Sequence, residues 1–474
     1  MDAAPDHPSQ TRSRSFGEEL RHLLQLGLPI ALVQMGMTAL NFVDIAMLGH
    51  HDARSLPAMA LGNTLAWGAT MFCMGAVTAI EPLLSQAVGA KDHAAVPRLL
   101  GRGLLLATVL SLPAALLLLP AATWLELCGQ PSELIPEAAA YARLQTLTVL
   151  PFLCYSVLRS LLSARASVMP QVLTILAGNL LNALLDWLLI FGKFGLPELG
   201  ATGAALATVI CRWLMLGGLL VFGWRDIGPQ LRQLRVPAVR REALALRPLG
   251  RAFLLGAPIG AQYVLEMGVF AATALLIGKL DASANSQAGG IGPGLGGHQI
   301  ALQLASLSFM VPLGLGIAAS VRVGWAVGRG DPAAVRRSVH AALVAAIAVM
   351  SAFSLLFLLC PQLLASAMTK QPEQFAIAVA LIPIAGVFQI GDGVQVVSIG
   401  CLRGLGDVRS PVFANVVGFW LLGLPLGYLL GIGLGHGPAG FWWGLVLGLF
   451  VVAGGLLLVL ARAVRGRLHR LSSG

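Results

Sequence analysis

Charge is what this chain has least of. Only 11% of its 474 residues are Asp, Glu, Lys or Arg, against about 25% in soluble domains. With 57% hydrophobic residues and a mean hydropathy of +0.81, that scarcity excludes a soluble globular protein. Cysteine is sparse too. Cys73, Cys128, Cys154, Cys211, Cys360 and Cys401 stand singly, at no metal-ligand spacing, so free thiols are expected and no metal site. No GxSxG, HExxH or paired-histidine site occurs. The glycine-rich pieces lack a preceding strand and a following Lys-Ser/Thr, which argues against a phosphate-binding loop. A cleavable signal peptide is not expected either: residues 1–23 are polar, and the first apolar run is too long for an h-region.

What the chain has instead is long apolar runs. A spanning helix needs about 20 such residues. Twelve runs qualify: 24–48, 58–86, 98–122, 138–164, 168–191, 200–222, 250–279, 298–325, 337–361, 375–401, 411–432 and 440–463. The expected fold is an all-α polytopic membrane protein. Residues 1–23 form a tail, 24–222 a first lobe of six helices, 223–249 a linker, 250–463 a second six-helix lobe and 464–474 a basic tail. The net charge of +10 suggests nucleic acid only until it is mapped. With both termini placed on one side, 25 Arg and Lys fall on that side. Five (Arg54, Arg143, Lys193, Lys279, Lys370) fall on the other, and Arg212 lies within a span. The positive-inside rule makes the first side cytoplasmic and the basic residues topology determinants, with no nucleic-acid partner.

The halves repeat in parallel. AVGAKDHAAVPRLL (87–100) lines up with AVGRGDPAAVRRSV (326–339), GLPIA (27–31) with GAPIG (256–260), and Leu158-Arg159-Ser160 with Leu402-Arg403-Gly404. Parallel repeats of this kind build transporters with a central site between two lobes. Pro29 and Pro258 match in the first span of each half, where a shared hinge is expected. ASANSQAGGIGPGLGG (282–297) reads as a flexible loop.

Against this background a few acids stand out. A carboxylate in hydrocarbon costs roughly 2.5–3.5 kcal/mol even on the lenient insertion scale. Asp392 has Gln389 and Gln395 three residues to either side, on one helix face. Glu266 has Gln262 four residues before it. In the first half, Asp44 follows Gln34 and Asn41, and Asn182 and Asp186 are four apart. Each half thus supplies two buried acids with amide neighbours. Carboxylates and amides are hard oxygen ligands suited to Na⁺ or to proton transfer. Glu81, before Pro82, is expected at a membrane interface, and Arg212 in a structural role.

The segments GLPIALVQ…NFVD, SQAVGAKD, NLLNALLDWLLIFGKFGLPELGATGAALAT and QIGDGVQVVSIGCLRGLGD, with Glu266 between them, resemble the multidrug and toxic compound extrusion (MATE) family, NorM-type branch, over nearly all of residues 20–465. The resemblance implies a two-lobed exporter of organic cations and amphipathic drugs in a bacterial cytoplasmic membrane, working by antiport with Na⁺ or H⁺. It needs no cofactor and is expected to act as a monomer. It implies cation coupling at Asp44, Asn182, Asp186, Glu266 and Asp392, with Na⁺ expected at Glu266 and Asp392. Met35, Tyr263, Phe270 and Phe388 are candidate cavity walls, since varied substrates need apolar and aromatic contact. Asp186, which is Asn in some relatives, and the long 282–297 loop depart from the family's pattern. A lipid-linked precursor flippase, a membrane-embedded enzyme and a passive channel are the competing readings.

Overall fold

The computed structural model describes residues 15–50, 55–195, 197–284 and 292–466. Twelve stretches among these are helical, long and apolar enough to cross a bilayer. The first is α1 (Phe16–Gly49), and the second joins α2 (Ser55–Thr78) to α3 (Ile80–Gly89). Next come α4 (Ala95–Leu118), the short α5 (Ala121–Leu127), α6 (Ile135–Ala164), α7 (Met169–Ile190) and α8 (Gly200–Phe222). After the connecting α9 (Trp224–Gln233) and α10 (Pro237–Ala243), the second half runs through α11 (Leu246–Ala284), α12 (Pro293–Arg329), α13 (Pro332–Leu359), the short α14 (Pro361–Met368) and α15 (Pro372–Leu405). It ends with α16 (Ser410–Gly433) and α17 (Gly437–Arg465). Part of α16, Val416–Gly423 and Leu429–Gly433, is wound as the wider π-helix.

Helix ends follow local chemistry. Ser15 and Glu18 cap α1 reciprocally: the Glu18 N–H donates to Ser15 Oγ (3.3 Å) and the Ser15 N–H to Glu18 Oε2 (2.9 Å). The repeated AVGxxD segments turn the chain alike. Lys91 and Gly330 take left-handed φ angles of 57° and 69°. Asp92 and Asp331 then accept from the N–H of Ala95 (3.0 Å) and Ala334 (2.9 Å). Glycine suits that backbone, whereas lysine is strained in it.

Several boundaries differ from expectation. Residues 16–23, expected in the tail, belong to α1. Glu19 is buried there: its carboxylate accepts from Arg322 Nε (2.7 Å) and Nη2 (2.6 Å) of α12 and from Ser338 Oγ (2.5 Å) of α13. The 223–249 linker folds as α9 and α10, and α11 starts at Leu246. Both linker helices dock on the first half, through Arg165–Asp226 (3.3 Å), Arg98–Glu242 (2.7 Å) and the fully buried Ile227. Of the loop read at 282–297, residues 293–297 already belong to α12, and 285–291 lie outside the described residues. Arg54 and the ends of both tails (1–14 and 467–474) lie outside them too.

The helices pack around two large cores, one per half, with smaller clusters beside them, and α1 and α11 belong to both large cores. Leu23, Leu26 and Ile30 of α1 sit in the core of the second half, whereas Val33 and Leu40 sit in that of the first. In α11 the order reverses. Leu249, Ala252 and Phe253 pack with the first half, Val269 and Phe270 with the second. Pro29 and Pro258 fall at the two crossings. Where α2 meets α11 the backbones nearly touch: a Cβ on Gly75 would lie 2.6 Å from Gly260 Cα. Contacts between the halves run from Glu19–Arg322, at the end of the bundle carrying the Arg-rich connections, to Thr38 Oγ1 donating to Met310 Sδ (3.4 Å) near mid-depth.

Glu19→Ala leaves Arg322 buried without its partner, a cost of about 3–5 kcal/mol. The expected outcome is a clearly lower thermal unfolding midpoint of the purified protein in detergent. A midpoint equal to that of the parent would show that the pair adds nothing.

Candidate ion and solute site

The first-half cluster joins three helices. Asn182 of α7 donates from Nδ2 to Asp44 Oδ1 of α1 (2.7 Å) and also to the Asp186 carboxyl one turn along. Thr208 of α8 donates to Asp44 Oδ2 (3.3 Å). Asn182 thus holds the Asp44 and Asp186 carboxyl groups to one amide, as their common donor. All three predicted residues are nearly inaccessible: Asp44 3%, Asn182 1% and Asp186 0% exposed. Asn182 Oδ1 and Asp186 Oδ1 have no donor among the described residues. The nearby cation is Arg212, which lies 4.7 Å over the Phe152 ring, donates to Met37 Sδ (3.5 Å) and is within electrostatic range of Asp44.

The second-half cluster centres on Glu266 of α11. It accepts from Gln395 Nε2 of α15 (2.9 Å), from Gln262 Nε2 of its own helix (3.4 Å) and from Asn415 Nδ2 of α16 (3.4 Å). Asp392, 7% exposed, lies one turn from Gln395 and within electrostatic range of Glu266. Gln389 turns away from Asp392 and donates to Ser308 of α12 (2.5 Å). The amide oxygens of Gln389, Gln395 and Asn415 are buried acceptors with no donor among the described residues. Carboxylates beside unsatisfied amide oxygens form the oxygen-rich surroundings a hard cation or a proton requires.

Other expected site residues go elsewhere. Gln34 does not join Asp44; its Oε1 accepts from Arg159 Nη1 of α6 (2.5 Å). Asn41 is part-buried, and the bonds to Asp44 among the described residues come from Asn182 and Thr208 instead. Tyr263 lies 5.3 Å beneath the Arg403 guanidinium, and its hydroxyl accepts from Arg403 Nη1 (3.3 Å). Met35 is 38% exposed. Phe388, expected on a cavity wall, is 3% exposed and packs in the second-half core. It lies edge-on to Phe270 (6.2 Å) and Trp442 (5.9 Å), because the aromatic pairs fill that interior. Glu81, near the Arg-rich end of its span, is 5% exposed and within electrostatic range of Arg159 and Arg403.

Sequence reasoning missed Thr208, Asn415, Arg159 and Arg403 as members of these networks. Asn415 carried a signal, a lone amide in the apolar run PVFANVV. Thr208 carried none, because a threonine in a spanning helix usually bonds its own backbone, as Thr208 also does to Ala204 O (3.0 Å). The arginines read as loop charges because they stand one or two turns from span ends.

The family model described as MatE matches residues 29–188 and again 258–429. Over 477 residues the chain is 34% identical to a probable multidrug resistance protein NorM of Mesorhizobium japonicum, covering 96% of both sequences. It is 31% identical to the multidrug resistance protein MdtK of Edwardsiella ictaluri, covering 92% of this chain and 94% of that one. Among solved structures its fold resembles the eukaryotic MATE transporter AtDTX14, with a TM-score of 0.82 at 22% identity, covering 95% and 98% of the two chains. It also resembles the Vibrio cholerae MATE transporter VcmN in its bent form, with a TM-score of 0.81 at 17% identity over 95% and 98%.

Asn182→Ala removes the donor that Asp44 and Asp186 share, a loss of about 1–3 kcal/mol. The thermal midpoint is expected to fall, and Asp186→Asn in the same background to recover part of it by presenting a new amide to Asp44. No recovery in the double variant would mean that Asn182 does not hold the pair.

Proposed function

Because the chain belongs to the MatE family, we propose that it is a secondary active multidrug exporter. It expels organic cations and other amphipathic drugs in exchange for inward Na⁺ or H⁺. The observation that carries this is the pair of buried acid clusters, one in each half, whose amide and carboxyl oxygens outnumber their donors. A catalytic role would require a nucleophile with its base, and neither cluster pairs them. A flippase for lipid-linked precursors would have to draw an anionic headgroup past these acids, which disfavours it.

In this reading the protein lies in the bacterial inner membrane with its Arg-rich end in the cytoplasm, following the 25-to-five partition of basic residues. The halves rock about their junction. Contacts such as Glu19–Arg322 and Gly75–Gly260 close the cytoplasmic end. An ion entering from outside occupies Glu266 and Asp392, or protonates the Asp44–Asp186 pair, and displaces bound drug. Opening toward the cytoplasm reverses the exchange. The membrane potential favours inward cation movement by about 2.3 kcal/mol per charge per 100 mV.

In proteoliposomes, dye efflux is expected under an imposed inward Na⁺ or H⁺ gradient, whichever ion couples, and to vanish in Asp392→Asn while that variant still inserts. Efflux surviving in Asp392→Asn removes that carboxyl from coupling. Efflux indifferent to both gradients rejects antiport.

A further inference from the structure

The two halves place matching residues at their junction with one exception. In the register that pairs AVGAKD with AVGRGD, Glu81 of α3 falls opposite Ser320 of α12. Arg159 of α6 pairs in the same way with Arg403 of α15, and Gln34 of α1 with Tyr263 of α11. Both arginines use one device: Arg159 donates to Gln34 (2.5 Å) and Arg403 to Tyr263 (3.3 Å), each reaching the first helix of its own half. They therefore bring two like charges to a buried junction. Glu81, 5% exposed, is the carboxylate among the described residues in electrostatic range of both. Ser320, its repeat mate, is 2% exposed.

The surroundings of Glu81 are tight and cross from half to half. Gln86, further along α3, donates to Gly404 O (2.9 Å), next to Arg403. A Cβ on Gly404 would lie 2.7 Å from Ser320 O, and one on Gly324 2.7 Å from Ser85 Cβ. Trp325 Nε1 donates to Ala164 O of α6 (2.9 Å). Arg403 also reaches the ion site: its Nη2 donates to Gln262 Oε1 (3.1 Å), and Gln262 in turn donates to Glu266 (3.4 Å). Arg403 thus bonds Gln262, a partner of Glu266 in the second-half ion cluster, and lies within electrostatic range of Glu81 in the opposite half.

We propose that Glu81 is a positioning residue for transport: it balances Arg159 and Arg403 across the junction, holds the Arg-rich end closed, and links that closure through Arg403 and Gln262 to Glu266. Buried like charges repel unless an opposite charge lies between them. Without Glu81 the two arginines push the halves apart at this end. By linkage, whatever shifts this equilibrium also shifts the ion affinity of the state it favours. The inference rests on the two-lobed exporter reading, but its test needs neither drug nor coupling ion.

The experiment is hydrogen exchange of the purified, membrane-inserted protein, followed at residues 80–90 and 318–330. Glu81→Gln is expected to speed exchange there by about tenfold, the signature of a junction that opens more often. Glu81→Asp is expected to restore slow exchange. The deciding variant is the double Glu81→Gln/Arg159→Gln, in which the excess positive charge is gone. It is expected to close again and to exchange close to the parental rate. A carboxylate that matters only for packing predicts the reverse, with the double variant exchanging at least as fast as the single. Should Glu81→Gln alone not accumulate, the double variant carries the test by accumulating and closing. A double variant as impaired as the single, or a single variant that exchanges like the parent, overturns the proposal. Loss of efflux with unchanged exchange would leave the exporter reading in place and remove Glu81 from the gate.

Discussion

A carboxylate survives in an apolar bundle only where the same protein supplies its polar surroundings. Most of what is distinctive here follows from that constraint. Asp44 is met by an asparagine and a threonine from two other helices, and Glu266 by amides from its own helix and two more. Each acid therefore ties several helices to one point. The groups that make it tolerable also leave acceptor oxygens over, and those surplus oxygens give the clusters their chemistry.

Duplication supplies the frame for these clusters, and exchange of two helices joins the frames. Because α1 and α11 each pack in both cores, the halves cannot separate at the Arg-rich end without disturbing both. Small residues allow that end to close tightly: Gly75 and Gly260 let α2 and α11 come within backbone contact. Charge then decides where closure is firm. Glu19–Arg322 is a direct buried pair, whereas Glu81 lies within electrostatic range of two arginines, one from each half. The duplication is not strict at this point. One half contributes an acid and the other a serine, which leaves the junction asymmetric in charge.

The elements written in apolar periodicity were legible from the residues alone. All twelve crossings and the match between AVGAKD and AVGRGD could be read directly, and so could the shared face of Asn182 and Asp186. Partners across helices were not. Gln34 lies near the Asp44 face by spacing yet bonds Arg159, 125 positions away, because the guanidinium reaches it first. Glu19 looked like part of a solvated tail because a single acid in a polar stretch has no local mark of its partner. That partner is Arg322, 303 positions on. Phe388 could be a wall or core by composition, and only the surrounding rings made it core.

By itself the sequence determined that this chain carries twelve stretches long and apolar enough to cross a membrane, repeats itself and places four acids within them. Those properties depend on hydrophobicity and local spacing, which act residue by residue. Tertiary structure alone decided which groups meet: that Arg322 reaches Glu19, that Asn415 reaches Glu266, and that α1 belongs to two cores. Electrostatics and hydrogen bonds act through space, and the distances they depend on exist only once distant helices have packed.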